Sequence, residues 1–501
     1  MVRQKEWEFE SCTSIIVGKG ATVDGSTMTS HSCDSGSDRT WINIVPHQKH
    51  KKGDMCKIYF EPKRIKGPDH PDRFPLGEIP QVEETYAYIN TAYPVMNEHQ
   101  LAIGETTFGG RRELMNKKGL IDAPELYRLI LERARTAREA IRLADDLTKK
   151  HGYRDYGECF TFADPEEVWF FEILGPGKDR IGAVWAAQRI PDDHIGVSAN
   201  ASRIRQIDLG DKEHFMASEN VFSLAEEMGW WDPQSGEPFE FCYAYAPQTR
   251  TSIYCRRREW RVLSLAAPSL DLNPHSENFP FSVKPEKKLS VQDIQAFFRD
   301  YYQDTPFDMS RSMTAVNRKG ETVLSPVASP FLNRDWLYLL RIPRERTICV
   351  GYATYVQITQ SRSWLPDPIG GVVWLGYDNP AATPQIPFYC GITRMPDSYR
   401  VGGREGFRRD CAWWAFRRVS KLALFRWQDM IKNINAVRER IENAIFGERE
   451  QVENRALELY KQDPVKAAEY LTEYCLKTAE KAVEDYWNLG DELWTRYARY
   501  F

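Results

Sequence analysis

The sequence predicts an α+β fold: one large unit of antiparallel strands and packed helices that carries a C-terminal helical extension. Three observations predict it. Short runs of β-branched and aromatic residues recur between Gly- and Asp-rich turns, an amphipathic helical pattern sits among them, and from about Cys411 onward the text is almost purely helical. With 501 residues and 42% hydrophobic content the chain can bury a large core, and no repeat or low-complexity linker divides it.

The first element is a hairpin. From Cys12 the text CTSIIVGKGATVDGSTM gives a β-branched run, a Gly- and Asp-rich turn over 18–25, and a second run of Ser, Thr and Met. The turn's GKGATVDGS fits neither the phosphate-binding loop nor the dinucleotide fingerprint, which excludes nucleotide binding there. Further strands are predicted over 86–91, 100–107, 168–174 and 181–188, and another ends at Asn200. Between them Leu126, Ile130, Ala134, Ala137, Ile141 and Ala144 fall at helical spacing behind Asp122 and Pro124, which predicts one helix with a face on a sheet. The stretch 205–300 mixes short apolar runs with turns, and its basic cluster CRRREWR at 255–261 reads as a solvated strand or loop. The β signal returns over 336–377, and the helices that follow are expected to break at Pro464 and Gly490.

Composition excludes several functions. A net charge of -4, from 67 basic and 71 acidic residues, argues against a nucleic-acid partner. The N-terminal MVRQKEWEFES has no apolar core of a signal peptide, and no apolar run approaches the roughly 18 residues that span a bilayer, so no membrane partner is expected and the cytoplasm is the default compartment. Ten scattered cysteines without CxxC pairs imply neither a zinc site nor a disulfide framework. The aromatic-rich C-terminal helices could support self-association as a homo-oligomer.

A nucleophilic thiol needs a base, and none of the nine histidines stands in a recognisable signature. Cleavage before Cys12 offers another base: the freed α-amino group, with a pKa of about 7.7 to 8.0, can take the thiol proton near neutral pH. The polar, poorly patterned segment before Cys12 suits a removable leader, and Ser11–Cys12 suits a scissile bond.

The text CTSIIVGKGATVDGSTM followed by CDSGSD resembles the opening of the cysteine dipeptidase family that includes dipeptidase A of lactic-acid bacteria and the secernin relatives. The resemblance continues through MNEHQLAIGETTF at 96–108, LILERARTAREAI at 129–141, WAAQRIPDDHIGVSANASRI at 185–204 and WLPDPIGGVVW at 364–374, and so covers most of the chain. It implies the N-terminal-nucleophile hydrolase fold, a four-layer αββα sandwich shared with penicillin V acylases and bile salt hydrolases. It also implies a leader at 1–11, a hydrolase core at 12–410 and a helical extension at 411–501. By this resemblance Cys12 is the nucleophile, Asp34 holds its amino group, and the Asn200 side chain with the backbone amide of Thr107 forms the oxyanion hole. His31 falls where the acylases carry an arginine, which puts a cationic role there in doubt, and either Arg346 or Arg362 could supply the arginine of a later strand. The substrates implied are dipeptides, with no metal or organic cofactor. An acyl-amide or lactam hydrolase of the same fold, and a secernin-like binding protein that never matures, stay open as alternatives.

Overall fold

The computed structural model describes residues 11–36, 39–60 and 73–500, so all but the last residue of the leader expected at 1–11 lies outside the described residues. It is a mixed α/β structure with two large antiparallel sheets, three small two-stranded ones and a C-terminal helical region. The seven-stranded sheet runs in the order Ser282–Val283, Ile195–Ser198, Ser11–Val17, Thr27–Asp34, Tyr355–Ser361, Val372–Tyr377, Ile386–Tyr389. The eight-stranded sheet runs Phe215–Ala217, Val184–Arg189, Val168–Leu174, Gly157–Ala163, Ala102–Gly109, Met96–Asn97, Tyr88–Asn90, Asn43–Val45.

The two sheets meet through their central strands, Ser11–Val17 and Thr27–Asp34 lying against Ala102–Gly109 and Gly157–Ala163. Hydroxyls fill much of this seam. Ser14 Oγ lies 2.6 Å from Thr161 Oγ1, and Thr29 Oγ1 lies 2.7 Å from the same atom. Strands buried on both faces ordinarily read as aliphatic runs; here Ser14, Thr27 and Thr29 find partners across the seam and Ser30 and Ser32 within their own sheet, which explains the Ser/Thr-rich text of the hairpin.

The predicted strand over 168–174 appears at Val168–Leu174, and the others appear with shifted ends, at Tyr88–Asn90, Ala102–Gly109, Val184–Arg189 and Ile195–Ser198. The single helix expected from Leu126 to Ala144 is two, Ala123–Arg133 and Ala137–His151. Asn97 Nδ2 donates to the carbonyls of Leu131 (2.9 Å) and Ala134 (2.8 Å), drawing them out of the helical ladder. Thr136 then caps the second helix, its side chain accepting from the Glu139 N–H. The second helix packs on Gly157–Ala163 and Val168–Leu174, the outer side of the eight-stranded sheet.

The basic cluster is not a solvated strand or loop. It lies in the helix Ile253–Ala266, where Arg257 is buried against the Glu345 carboxylate, Arg258 against backbone carbonyls, and Glu259 against the guanidinium groups of Arg203 and Arg250. Over 336–377 the strands Tyr355–Ser361 and Val372–Tyr377 follow a short helix, Arg334–Leu339. Three helices close the chain, Ala412–Ala423, Trp427–Gln462 and Pro464–Tyr497. Pro464 marks a break, whereas Gly490 lies inside the last helix. A Cβ there would come within 2.6 Å of Arg418 Nη1, so this glycine makes room for a guanidinium. The first and last of the three pack on Val372–Tyr377 and Ile386–Tyr389. Among the described residues no helix is long and apolar enough to cross a membrane.

Candidate active site

The hairpin register sets the site. Ser11 pairs with Asp34 and Cys12 with Cys33, and paired residues of an antiparallel ladder point to one face. Cys12, Ser14, His31 and Cys33 therefore face the second sheet, while Ser11, Ser32 and Asp34 face away. On the other flank Ser14 pairs with Ser198, which brings Asn200, two residues past it, level with Cys12. Asn200 leaves the strand at φ 60°, a left-handed conformation that asparagine tolerates better than most residues. Its side chain replaces the ladder: Cys12 N–H donates to Asn200 Oδ1 at 2.9 Å, and Asn200 Nδ2 donates to the carbonyl of Thr107 at 2.7 Å.

Two arginines hold the backbone on either side of the Ser11–Cys12 peptide. Arg258 donates to the Cys12 carbonyl (2.5 Å), Thr13 Oγ1 (3.0 Å), the Ala199 carbonyl (2.9 Å) and Asn200 Oδ1 (2.9 Å). Burial, reinforced by the neighbouring Arg346, pulls this guanidinium below the usual arginine range. Arg346 donates to Ser11 Oγ (2.9 Å) and to the Ser11 carbonyl (3.3 Å), and pairs with Asp34 Oδ2. Ser32 Oγ adds a bond to the same oxygen at 3.0 Å. Burial still lifts Asp34 above the usual carboxylate range, against the pull of Arg346.

Arg362 serves another place. It donates to the carbonyls of Gly370 (2.9 Å) and Ile369 (2.7 Å) and pairs with Glu453 at 2.8 Å, beyond the far end of the strand whose first residue, Tyr355, pairs with Cys33. Of the two arginines considered from the sequence, the structure brings Arg346 to Ser11 and Asp34, beside Cys12.

Across the seam lies an acidic pair. His31 Nε2 stands 3.1 Å from Glu105 Oε2, both side chains fully buried, and the rings of Tyr93 and Tyr355 meet the imidazole edge-on. Thr107 Oγ1 lies 3.0 Å from Glu105 Oε1 and 2.8 Å from Glu158 Oε1. Burial would raise Glu105, but His31 carries it below the ordinary value, whereas burial and the Glu105 charge push Glu158 well up. The two carboxyls are thus driven in opposite directions, with the Thr107 hydroxyl between them. Burial first, then the Glu105 charge, drives the Cys12 thiol well above its ordinary value, so with Ser11 still attached the thiol is protonated.

Cys12 Sγ, a His31 nitrogen and a Glu105 oxygen lie within 4.8 Å of one another. Among the described residues this is the one such convergence of groups of metal-binding type; three donors fall short of a closed four-donor zinc site, and we assign no ion to it.

The sequence-predicted residues Cys12, Asp34, Thr107 and Asn200 thus lie around one peptide bond, with the Thr107 carbonyl as the atom that meets Asn200. Sequence reasoning missed Arg258 and the Glu105–Glu158 pair. For Glu105 a signal existed: in AIGETTF a carboxylate breaks a strand text otherwise apolar or hydroxylic. For Arg258 the signal was the helical spacing of Cys255, Val262, Leu263 and Ala266 around the arginines, all four of them buried.

Residues 11–440 match the model of peptidase family C69. A probable dipeptidase of Latilactobacillus sakei is 26% identical over 414 residues, covering 78% of this chain and 77% of that one. A probable dipeptidase of Salmonella dublin is 28% identical over 416 residues, 79% and 84% of the two chains. Dipeptidase A of Lactobacillus helveticus is 23% identical over 407 residues, 78% and 77% of the two.

Proposed function

The chain belongs to peptidase family C69, and from that premise we propose that it is a dipeptidase whose nucleophile is Cys12, exposed as an N-terminal residue when the Ser11–Cys12 bond is cleaved. The observation that carries this reading is the treatment of that one peptide: its nitrogen is held by Asn200 at 2.9 Å and its carbonyl by Arg346 at 3.3 Å. An ordinary strand residue would give both groups to the ladder. Two facing sheets with helices on their outer sides support the finer reading of the fold as a four-layer αββα sandwich of the N-terminal-nucleophile type.

In the matured enzyme the Cys12 nitrogen is an amine, which accepts the thiol proton. Arg258 and Arg346 disfavour its protonated form, opposing Asp34, and so keep it a base near neutral pH. The thiolate adds to the dipeptide carbonyl. Asn200 Nδ2 carries two protons, of which Thr107 takes one; the second, with the Thr107 backbone N–H, receives the oxyanion. Collapse expels the amine product, which takes the proton from the Cys12 ammonium, and water, giving a proton to the freed Cys12 amine, hydrolyses the thioester and restores the thiol. No cofactor enters, and we place the enzyme in the cytoplasm.

The test is the intact mass and N-terminal sequence of the purified chain and its Cys12→Ala variant, followed by assays with dipeptides and acyl amides. Loss of residues 1–11 from wild type alone, with hydrolysis of dipeptides, is the expected result. Hydrolysis of acyl amides alone would reassign the substrate, and a leader retained by both proteins, without hydrolysis, would favour a binding role.

A further inference from the structure

We propose that the His31–Glu105 pair is the proton acceptor for the Cys12 thiol during cleavage of the Ser11–Cys12 bond. The inference rests on the self-cleavage reading above and addresses a gap in it. The α-amino group that serves as base in turnover does not exist while Ser11 is attached, because the Cys12 nitrogen is then an amide that donates to Asn200.

The geometry supplies another acceptor. A His31 nitrogen and a Glu105 oxygen both lie within 4.8 Å of Cys12 Sγ, on the face of the hairpin that Cys12 shares with His31. Although 3.1 Å apart and buried, His31 Nε2 and Glu105 Oε2 each lack a hydrogen-bond partner, since their contact is misaligned for one. Two unpartnered polar atoms beside a thiol are costly to bury, and a proton-transfer role is what such a cost accompanies at functional sites. The titratable groups facing His31 are Glu105 from the second sheet, Cys12 and Cys33 from its own, and the phenols Tyr93 and Tyr355, with Glu158 behind Glu105 across the Thr107 hydroxyl. Glu158 is pushed well up by burial and the Glu105 charge and is engaged by Thr107, the phenols are weak acids, and Asp34 points away on the far face and is engaged by Arg346. This leaves the imidazole backed by the Glu105 carboxylate, the arrangement that makes a histidine an effective base.

The step balances without any added reagent. The thiol proton passes to the pair, and Sγ bonds to the Ser11 carbonyl carbon as its oxygen, held by Arg346, takes up the negative charge. The C–N bond to Cys12 breaks and the nitrogen receives the proton from the pair, leaving an amine and a Ser11 thioester. Water then releases the Ser11 carboxylate and restores the thiol. The base of maturation is thereby separate from the base of turnover.

The test compares wild type, His31→Gln and Glu105→Gln, each as the full chain and as a form whose residues 1–11 are replaced by a tag that an endoprotease removes immediately before Cys12. Leader loss is followed by intact mass, hydrolysis by dipeptide assay and folding by thermal melting. The expected result is leader loss slowed at least about 100-fold in both variants, the typical worth of a general base, with folding retained and hydrolysis recovered once the endoprotease frees Cys12. Leader loss at the wild-type rate in both variants overturns the proposal. So does a folded His31→Gln chain that stays inactive after enzymatic release, which would put the pair in turnover. A wild-type chain that keeps its leader defeats the self-cleavage reading itself, and is recognised in the wild-type arm alone.

Discussion

Arg258 reaches four oxygens around the Cys12 peptide from a helix that the sequence presents only as a run of basic residues. A lysine would keep the charge but offer one point where a planar fork spans several acceptors. Arg258→Lys should therefore leave buried carbonyls unsatisfied, each worth about 1 to 3 kcal/mol; a loss of at least 2 kcal/mol in urea unfolding is expected, together with slower leader loss. Glu172 gives a second prediction at this scale. Burial lifts its carboxyl from 4.5 to about 7, although Ser202 Oγ and the Arg203 N–H, both at 2.5 Å, hold it. Between those values the folded chain keeps a proton that the unfolded chain has released, so stability falls as pH rises through the window and levels off above it. Glu172→Gln has no such proton. From pH 4.5 to 7.5 the stability of wild type relative to the variant should fall by about 3 kcal/mol, and a difference independent of pH would refute the assignment. Cys12 and Asn200 were legible because short motifs surround them; Glu172 and Arg258 were not, because their partners lie far off in sequence or on backbone atoms that every residue has.

Where the sheets meet, Gly104 is an element-scale requirement. A Cβ there would overlap the Ser30 carbonyl oxygen and lie 2.5 Å from Thr161 Oγ1 and 2.7 Å from Ser14 Oγ, the atoms that join the two sheets. Neither sheet can yield without parting those hydroxyl bonds, so Gly104→Ala should cost at least about 3 kcal/mol, the scale of severe overpacking. Gly109, in the same strand at φ 85° with open space around it, should cost Gly109→Ala only about 1 kcal/mol of backbone strain. Equal losses in urea unfolding for the two variants would remove the argument. The hairpin was legible because turn residues and β-branched runs act locally. The break at Ala134 was hidden, since the apolar spacing from Leu126 to Ala144 runs on through it and the residue that forces it, Asn97, lies on a strand in the other half of the motif text.

At the scale of the molecule the sequence announces the C-terminal helices and conceals their docking. Periodicity and Pro464 mark where they run, but amphipathic text does not say which surface the apolar face will cover. In the structure Phe446 stacks on Trp374 with centroids 4.7 Å apart, Tyr486 Oη donates to the Ala382 carbonyl at 2.9 Å, and Glu453 pairs with Arg362 at 2.8 Å. Val372 and Trp374 are thereby covered on the face of the strand turned away from the second sheet, while Val373 and Leu375 point to the opposite face. The family match itself ends at residue 440, partway along the helix Trp427–Gln462. A chain ending at Asp410 therefore loses one wall of its core and should be recovered insoluble, or soluble only with strong binding of a hydrophobic dye. One ending at Gln462 keeps the Phe446 stack and the Glu453 ion pair but strips Pro464–Tyr497 from the strand Ile386–Tyr389, and should be soluble with a lowered melting temperature. A chain ending at Asp410 that stays soluble, melts cooperatively and loses its leader would show that the seven-stranded sheet holds together without this helical wall, and that residues 411–501 are an appendage in energy as well as in sequence.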